Sequence, residues 1–495
     1  MRLIELLSES NSEMSDVYKH NNPDMNIEVT GLACDSRMVK DGFLFAALPG
    51  SAVDGADYIT DAIGRGARVI LAQNGVSVSN DNVQLLHHPK PRQQFSKMAA
   101  KFYSGQPKTV AAITGTNGKT SVAFFLEQIW TSLGIKAASL GTLGLISTNP
   151  DMQDINQGGS HTTPDPVKLH QTLGMLEKRG VSNLAIEASS HGIEQYRLDG
   201  VKINLAAFTN ISRDHLDYHK TMQAYMDAKI RLFAELVSED GACVINTDSS
   251  AGLQVAEVCK ARGIKTVLVG KNGSDIRIIS ARPEKKSYLL KVEISGVVYE
   301  INLPLIGMFQ VENAMLALGL AIAGGQDAKN CVAALENICP VPGRMQAVGD
   351  NPAKSVFVDY AHTPDALQTV LQNLRPHTAG KLVVVFGAGG DRDPGKRTLM
   401  GSIAAAGADK VIVTDDNPRS EDPATIRMAI LKAAPGATEI ADRTQAIRHA
   451  VDGLQVGDVL LIAGKGHEQG QIIGDKTIPF DDVIEAKKAI TGVAK

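Results

Sequence analysis

The chain has 495 residues, 43% of them hydrophobic and 21% charged, with a formal net charge of −4. That length exceeds what one hydrophobic core supports, and the composition is that of a soluble globular protein with several domains. The slightly acidic balance gives no electrostatic reason to expect nucleic acid as a partner. Residues 1 to 105 mix short β-like runs ("GFLFAALPG", "ARVILAQ") with turn residues and end at "YSGQPK", a linker. The opening "MRLIELLSES" carries Glu5 and is too short for a signal peptide. Five cysteines (Cys34, Cys243, Cys259, Cys331, Cys339) are scattered and form no C-x-x-C pair, which points to reduced thiols in a cytosol.

From Thr109 strands and helices alternate. "TVAAIT" predicts a buried strand, and "KTSVAFFLEQIWTSLG" a helix with Val122, Phe125, Ile129 and Leu133 at helical spacing. "PVKLHQTLGMLEKRG" predicts a second helix, with Pro166 at its start and Gly180 at its end, before the strand "NLAIEAS". "AMLALGLAIAGG" (314–325) falls short of a membrane span and reads as a buried helix, so no membrane insertion is expected. "CPVPGRM" (339–345) breaks the pattern, and beyond it "SVFVDYAH", "KLVVVFGAGG", "KVIVTDD" and "DVLLIAGKG" are strands separated by helices. The fold class is therefore α/β, in three domains over 1–105, 106–340 and 341–495, with doubly wound parallel sheets.

The sharpest motif is "ITGTNGKTS". A strand enters a glycine-rich turn, and Lys119 and Thr120 open a helix. Such a loop turns its backbone N–H groups toward phosphate, the lysine reaches the terminal phosphates, and Thr120 can ligate Mg²⁺. Ile113 stands where the usual G-x-x-x-x-G-K-[ST] pattern has its first glycine. In "LAIEASSHG", Glu187 follows a strand on the same sheet edge, where a carboxylate can bind Mg²⁺; considered alone, it reads rather as a helix-capping or surface acid. "NISRDHLDYHKTMQAYMDAKIRLF" crowds Asp214, His215, Asp217 and His219 into one turn, with Lys229 in the following helix. These side chains could hold a divalent ion, or form a polar loop before a helix on which Lys229 snorkels. Three C-terminal loops, "GAGGDRDPGKR", "DDNPRSEDP" and "AGKGHEQGQ", each follow a strand. Loops at the carboxyl ends of parallel strands meet in one crevice, so Arg392, Asn417, Arg419 and Glu468 could converge on a zwitterion, arginines on carboxylates and Glu468 on an ammonium. "GAGGDR" lacks the spacing of a dinucleotide fingerprint.

Taken together, "TGTNGKTS", "EASSHG", "DHLDYH…AYMDAK", "MFQVENAMLAL", "PGRMQ" and "DYAHTPDAL" occur in the order and spacing of the Mur ligases, and the resemblance covers essentially the whole chain. "LACDSR" and "DNPR" resemble the diaminopimelate-adding type. The resemblance implies a UDP-substrate-binding N-terminal domain, a central ATP-binding domain and a Rossmann-like C-terminal domain that binds the amino acid. It places Gly115, Thr116, Asn117, Gly118, Lys119, Thr120, Ser121, Asn313, Arg344 and Asp359 at ATP. Mg²⁺, as two ions, would be held by Thr120, Glu187, His215 and Lys229, the last carbamylated by CO₂; Lys119, Lys229 and His215 would be catalytic. Leu32, Ser36, Ser51, Ala52 and Val53 would meet the uridine diphosphate end of UDP-N-acetylmuramoyl-L-Ala-D-Glu. Thr162, Thr163, Ser189, Gln195 and Arg197 would hold its dipeptide, and Arg392, Asp416, Asn417, Pro418, Arg419, Gly464 and Glu468 would bind meso-diaminopimelate. A monomeric, cytoplasmic enzyme of peptidoglycan precursor synthesis is implied, acting on small molecules and through an acyl phosphate. A lysine-adding or folylpolyglutamate synthetase-like ligase is the alternative within the superfamily; an unrelated kinase or hydrolase, or a nucleotide-gated scaffold, is the alternative outside it.

Overall fold

The computed structural model describes residues 1–7, 24–50, 53–80, 82–159, 162–284, 286–349 and 354–492. Ser51, Ala52 and the side chain of Asp217 lie outside the described residues. Two compact units divide the chain: Met1–Val269 with Gly319–Asp327, and Gly270–Leu318 with Ala328–Lys495.

The first unit opens with a parallel sheet of β1 (Gly31–Ala33), β2 (Phe43–Ala47), β3 (Val69–Ala72) and β4 (Gln84–His87), in that order. Strand alternation sends Leu44, Val69 and Leu71 to one face, against Phe95 and Met98 of the Pro91–Phe102 helix. Phe45 and Ile70 pack on the other face with Ile59. A larger sheet follows, built on β5 (Thr109–Thr114), β6 (Ala137–Gly141), β7 (Gly144–Ile146), β8 (Asn183–Glu187), β9 (Ile203–Phe208), β10 (Val237–Asn246) and β11 (Lys265–Gly270). Their spatial order is β11-β10-β9-β5-β8-β6-β7, parallel except for β7. Strands β8 and β9 flank β5 on opposite sides, so the chain reverses its winding there, and a crevice opens at the carboxyl end of β5. Val110 to Ile113 are fully buried, as a central strand covered on both faces requires.

Both expected helices of this unit form. Lys119–Ser132 starts after Gly118, whose φ of 87° is left-handed backbone that suits glycine. Pro166–Lys178 starts on an Asp165 cap, whose carboxylate accepts from the N–H groups of Val167 and Lys168.

The second unit begins with an antiparallel meander that the reading of alternating strands and helices does not include: β12 (Ile276–Pro283), β13 (Tyr288–Ile294) and β14 (Val297–Leu303). Ser295 and Gly296, both at positive φ, make the tight turn between the last two. Its main sheet is built on β15 (Gln346–Val348), β16 (Ser355–Asp359), β17 (Leu382–Phe386), β18 (Lys410–Val413), β19 (Thr438–Glu439) and β20 (Val459–Ala463). The order is β15-β16-β20-β17-β18-β19, parallel except for β15. Val384, Phe386 and Leu461 face the helices Pro364–Leu374 and Gly395–Gly407. Val383, Val385 and Ile462 face Arg443–Asp452 and Asp482–Thr491. With both faces apolar and covered, function is left to the loops at the strand ends. No helix among the described residues is long and apolar enough to cross a membrane.

Candidate active site

At the carboxyl end of β5 the chain turns through Gly115. A Cβ there would lie 1.9 Å from Thr209 Oγ1, so only glycine allows the loop this close to the end of β9. Side chains then pin the loop. Thr116 Oγ1 accepts from Ser212 N at 3.0 Å and bonds the Tyr225 hydroxyl at 3.1 Å. Asn117 N donates to Asn210 Oδ1 at 3.0 Å, and Thr209 Oγ1 donates to Asn117 O at 2.6 Å. These bonds within the chain shape the loop. Lys119 Nζ folds back onto Gly115 O and Thr116 O, at 2.9 and 2.8 Å.

Lys229 does not snorkel. Its side chain is buried and its Nζ donates to Gly115 O at 2.9 Å, 4.4 Å from the centre of the Tyr225 ring. Burial, and then the Lys119 charge, hold its pKa well below the usual lysine value, which favours the uncharged amine. Glu187 is neither a cap nor a surface acid. It is buried, with Oε1 accepting from Thr142 N at 2.7 Å and Oε2 from Thr142 Oγ1 at 3.2 Å. A Cβ on Gly141 would strike Glu187 Oε1 at 2.1 Å, so that glycine makes room for the carboxylate.

His215 sits in left-handed backbone (φ 53°), half exposed, edge-on to His191 at 4.9 Å and 3.5 Å from the Asp214 carboxylate. His219 is committed elsewhere, to Ser190 Oγ at 2.9 Å and Glu194 Oε2 at 3.0 Å, so the crowded turn of the sequence does not act as one ligand set. Among the described residues no three His, Cys, Asp or Glu side chains gather into a metal-holding group. The oxygen donors at hand are the hydrogen-bonded Glu187 carboxylate at the end of β8 and the Thr120 hydroxyl at the start of its helix. That oxygen-rich chemistry fits Mg²⁺, which keeps several of its waters.

Next to Glu187, Thr163 Oγ1 donates to Glu187 O at 2.8 Å and bonds Ser189 Oγ at 3.0 Å; Ser189 in turn caps the Ser190–Glu194 helix. Thr162 Oγ1 bonds Thr142 Oγ1 at 3.1 Å. Arg197 donates to Thr163 O at 2.6 Å and Gln195 Oε1 at 2.7 Å. The five expected dipeptide residues therefore fall into one connected patch. Leu32 and Ser36 are buried at the end of β1, and Val53 is exposed.

In the second unit Asp359 ends β16 buried, accepting from Met345 N at 2.7 Å and Ala361 N at 2.8 Å, while burial raises its pKa. The Arg344 guanidinium lies 4.4 Å from the centre of the Tyr360 ring, and Asn313 Nδ2 donates to Gln310 Oε1 at 3.0 Å. Between β18 and β20 the expected amino-acid loops meet. Asn417 is the hub: Nδ2 donates to Glu468 Oε2 at 2.9 Å, and Oδ1 accepts from Lys465 Nζ and Ile472 N, each at 2.9 Å. Asp416 is buried against Gly464, where a Cβ would meet its Oδ2 at 2.5 Å, and Gln471 Nε2 donates to Asp416 O at 2.7 Å. Arg419, at φ 52°, donates through Nη1 to Gly390 O at 2.7 Å. Arg392 stays exposed on its loop.

Sequence reasoning missed Lys465, which is fully buried and lies 3.1 Å from Glu468 Oε2. Glu468 was expected to wait for a ligand ammonium, yet it already faces one from its own chain. A lysine between two glycines in "AGKGHEQGQ" was the available signal. Thr142 and Tyr225 were also missed, and nothing local in the sequence marks Thr142.

Comparison with known proteins agrees with these parts. The "Mur ligase family, catalytic domain" matches residues 28–103, the "Mur ligase middle domain" 113–321, and the "Mur ligase, glutamate ligase domain" 343–466. A UDP-N-acetylmuramoyl-L-alanyl-D-glutamate–2,6-diaminopimelate ligase of Caulobacter vibrioides is 51% identical over 468 residues, 94% of this chain and 96% of that protein. Its Bradyrhizobium diazoefficiens counterpart is 50% identical over 460 residues, 92% of this chain and 93% of its own. A solved structure of a ligase of the same name superposes with a TM-score of 0.71 at 32% identity, covering 99% of each chain. With three matched domains and relatives at half identity over nearly full length, this chain belongs to the Mur ligase family.

Proposed function

We propose that the chain joins meso-diaminopimelate to the D-Glu side-chain carboxylate of UDP-N-acetylmuramoyl-L-Ala-D-Glu at the expense of ATP, in cytoplasmic synthesis of peptidoglycan precursors. The observation that carries this reading is the near-full-length likeness, at 50–51% identity, to ligases named for that reaction. The site supplies the parts.

A carboxylate is a poor acyl donor. In the reaction its oxygen attacks the γ-phosphorus of ATP, the bond to ADP breaks, and an acyl phosphate results. The diaminopimelate amine then attacks the carbonyl carbon; the C–N bond forms, phosphate leaves with the C–O electrons, and the amine loses a proton. Two anions meet in the first step, so positioned positive charge carries the catalysis. The amides of Gly115 to Gly118, with Thr120 and Ser121, hold the phosphates, and Lys119 swings from the Gly115 and Thr116 carbonyls to the terminal ones. Asn313, Arg344 and Asp359 contact the nucleotide. Thr120, Glu187, His215 and the modified Lys229 would hold Mg²⁺, which neutralises phosphate charge when bound. Lys229 acquires its carboxylate when the neutral amine adds CO₂: an N–C bond forms and one proton is released. Leu32, Ser36 and residues 51–53 take the uridine end, and Thr162, Thr163, Ser189, Gln195 and Arg197 the dipeptide. Arg392, Asp416 to Arg419, Gly464 and Glu468 take diaminopimelate. A guanidinium at Arg419 suits the carboxylate that distinguishes diaminopimelate from lysine.

Phosphate release from ATP tests the reading. It should require UDP-N-acetylmuramoyl-L-Ala-D-Glu and diaminopimelate together; release indifferent to both would refute it.

A further inference from the structure

A cavity of about 140 Å³ in the first unit is lined by Cys34, Arg92, Asp165, Pro166, Gln195 and Arg197 among others. It is smaller than the roughly 300 Å³ at which whole-ligand pockets begin, so it suits one charged group of a larger molecule. Gln195 and Arg197 belong to the dipeptide patch. Arg92 belongs to nothing described so far.

The charge of this cavity is unusual. Two guanidiniums face it, and their described hydrogen bonds go to neutral oxygens: Arg92 Nη2 to Pro49 O at 2.6 Å, Arg197 to Thr163 O and Gln195 Oε1. The nearby carboxylate, Asp165, is committed to capping its helix, with Oδ1 accepting from Val167 N at 3.0 Å and Lys168 N at 3.1 Å. The Cys34 thiol, though solvent reaches the residue, adds no negative charge, since desolvation among the cavity's side chains and then Asp165 push its pKa up to about 11. Burial and the Arg92 charge both work against the Arg197 cation, while Asp165 favours it. Two like charges, partly desolvated and bonded to neutral oxygens among the described residues, carry a cost that an arriving oxyanion offsets. Arg92 also grips Pro49 O, two residues before the 51–53 stretch expected at the uridine diphosphate end. It therefore lies between the part of the fold that takes that end and the part that takes the dipeptide.

We propose that Arg92 is a substrate-recognition residue, forming with Arg197 a two-guanidinium seat for an oxyanion of the UDP-linked substrate. The seat rests on the proposed function. Its ligand is a phosphate or carboxylate oxygen pair, and that substrate offers both: the diphosphate and the carboxylates of D-Glu.

The test uses the full chain as wild type, Arg92→Gln and Arg92→Lys. Steady-state kinetics are read for all three substrates, and calorimetric binding for UDP, UDP-N-acetylmuramoyl-L-Ala and UDP-N-acetylmuramoyl-L-Ala-D-Glu. Arg92→Gln should raise KM for the UDP-linked substrate roughly 10- to 100-fold, with KM for ATP and diaminopimelate unchanged and partial recovery in Arg92→Lys. Weakened binding of all three UDP ligands would place the seat at the diphosphate; weakening of the D-Glu-bearing ligand alone would place it at the carboxylate. Unchanged binding of all three, or equal loss toward ATP, overturns the proposal. If Arg92→Gln fails to fold, Arg92→Lys decides by the same KM split. Wild-type ligation that Arg92→Gln matches removes the seat and leaves the proposed function standing, whereas a wild type that ligates nothing removes the function itself.

Discussion

In the first unit Lys119 donates to the neutral carbonyl of Gly115, and Arg92 and Arg197 likewise face carbonyl and amide oxygens. In the second unit four cations meet carboxylates instead, Lys465 with Glu468, Arg443 with Asp482, Arg397 with Glu421 and Arg427 with Asp415, while Arg419 is held on the Gly390 carbonyl. The contrast follows the ligands proposed for each. ATP and a UDP-linked sugar are multiply anionic, and positive charge held on neutral oxygens is ready to receive them. Diaminopimelate is a zwitterion with no net charge, and a crevice that pairs Lys465 with Glu468 and leaves Arg419 on a carbonyl offers groups of both signs to orient it.

That comparison can be broken most sharply at Lys119. Lys119→Ala should lower kcat by roughly 10³-fold or more, since charge neutralisation at transferring phosphate is among the largest catalytic terms; near-normal turnover would remove the phosphate-site assignment. Lys229→Ala should lose roughly 10²-fold, and short-chain carboxylic acids added to the assay should restore part of the rate. Absence of rescue would leave the buried amine as a structural group. In the second unit the effects should be smaller and confined to the amino acid. Arg419→Ala and Arg419→Lys should each raise KM for diaminopimelate about 10- to 100-fold and leave ATP binding intact. Equal loss of both would show that Arg419 only shapes its loop through Gly390 O. At Arg443 the cost should fall on stability. Arg443→Met strands a buried Asp482 carboxylate and should cost about 3–5 kcal/mol in urea unfolding, while pairing it with Asp482→Leu should recover most of that. Both side chains of this pair are fully buried, and both Nε and Nη2 bond the carboxylate at 2.7 Å.

Much of the fold was legible because its signals are local. "TVAAIT" before "GTNGKT" declares a strand, a glycine turn and a helix, and Asp165-Pro166 with Gly180 brackets the next helix. The meander was missed although "YLLKVEISGVVYEINL" alternates apolar and polar residues around a Ser-Gly turn. That alternation is the period-two signal of paired strands, and it interrupts the βα pattern on either side. The candidate site divides differently. Glycine and lysine positions in the phosphate loop follow from its chemistry, so they could be read directly. What could not be read is which side chains the folded chain buries. Glu187 is held by Thr142, forty-five residues upstream, and Lys229 meets Gly115, 114 residues away. Lys465 was visible in its motif, but only burial beside Asn417 and Glu468 reveals that it balances the crevice.

The central claim is that Arg419, in the crevice of the second unit, selects diaminopimelate as the amino acid that is joined. Mass spectrometry of the product formed from UDP-N-acetylmuramoyl-L-Ala-D-Glu, ATP and an equal mixture of meso-diaminopimelate and L-lysine tests it most directly. A product carrying diaminopimelate, with lysine at trace level in the wild type and diaminopimelate selectively lost in Arg419→Ala, is the expected result. A lysine-bearing product from the wild type, or no amino-acid adduct at all, would contradict it.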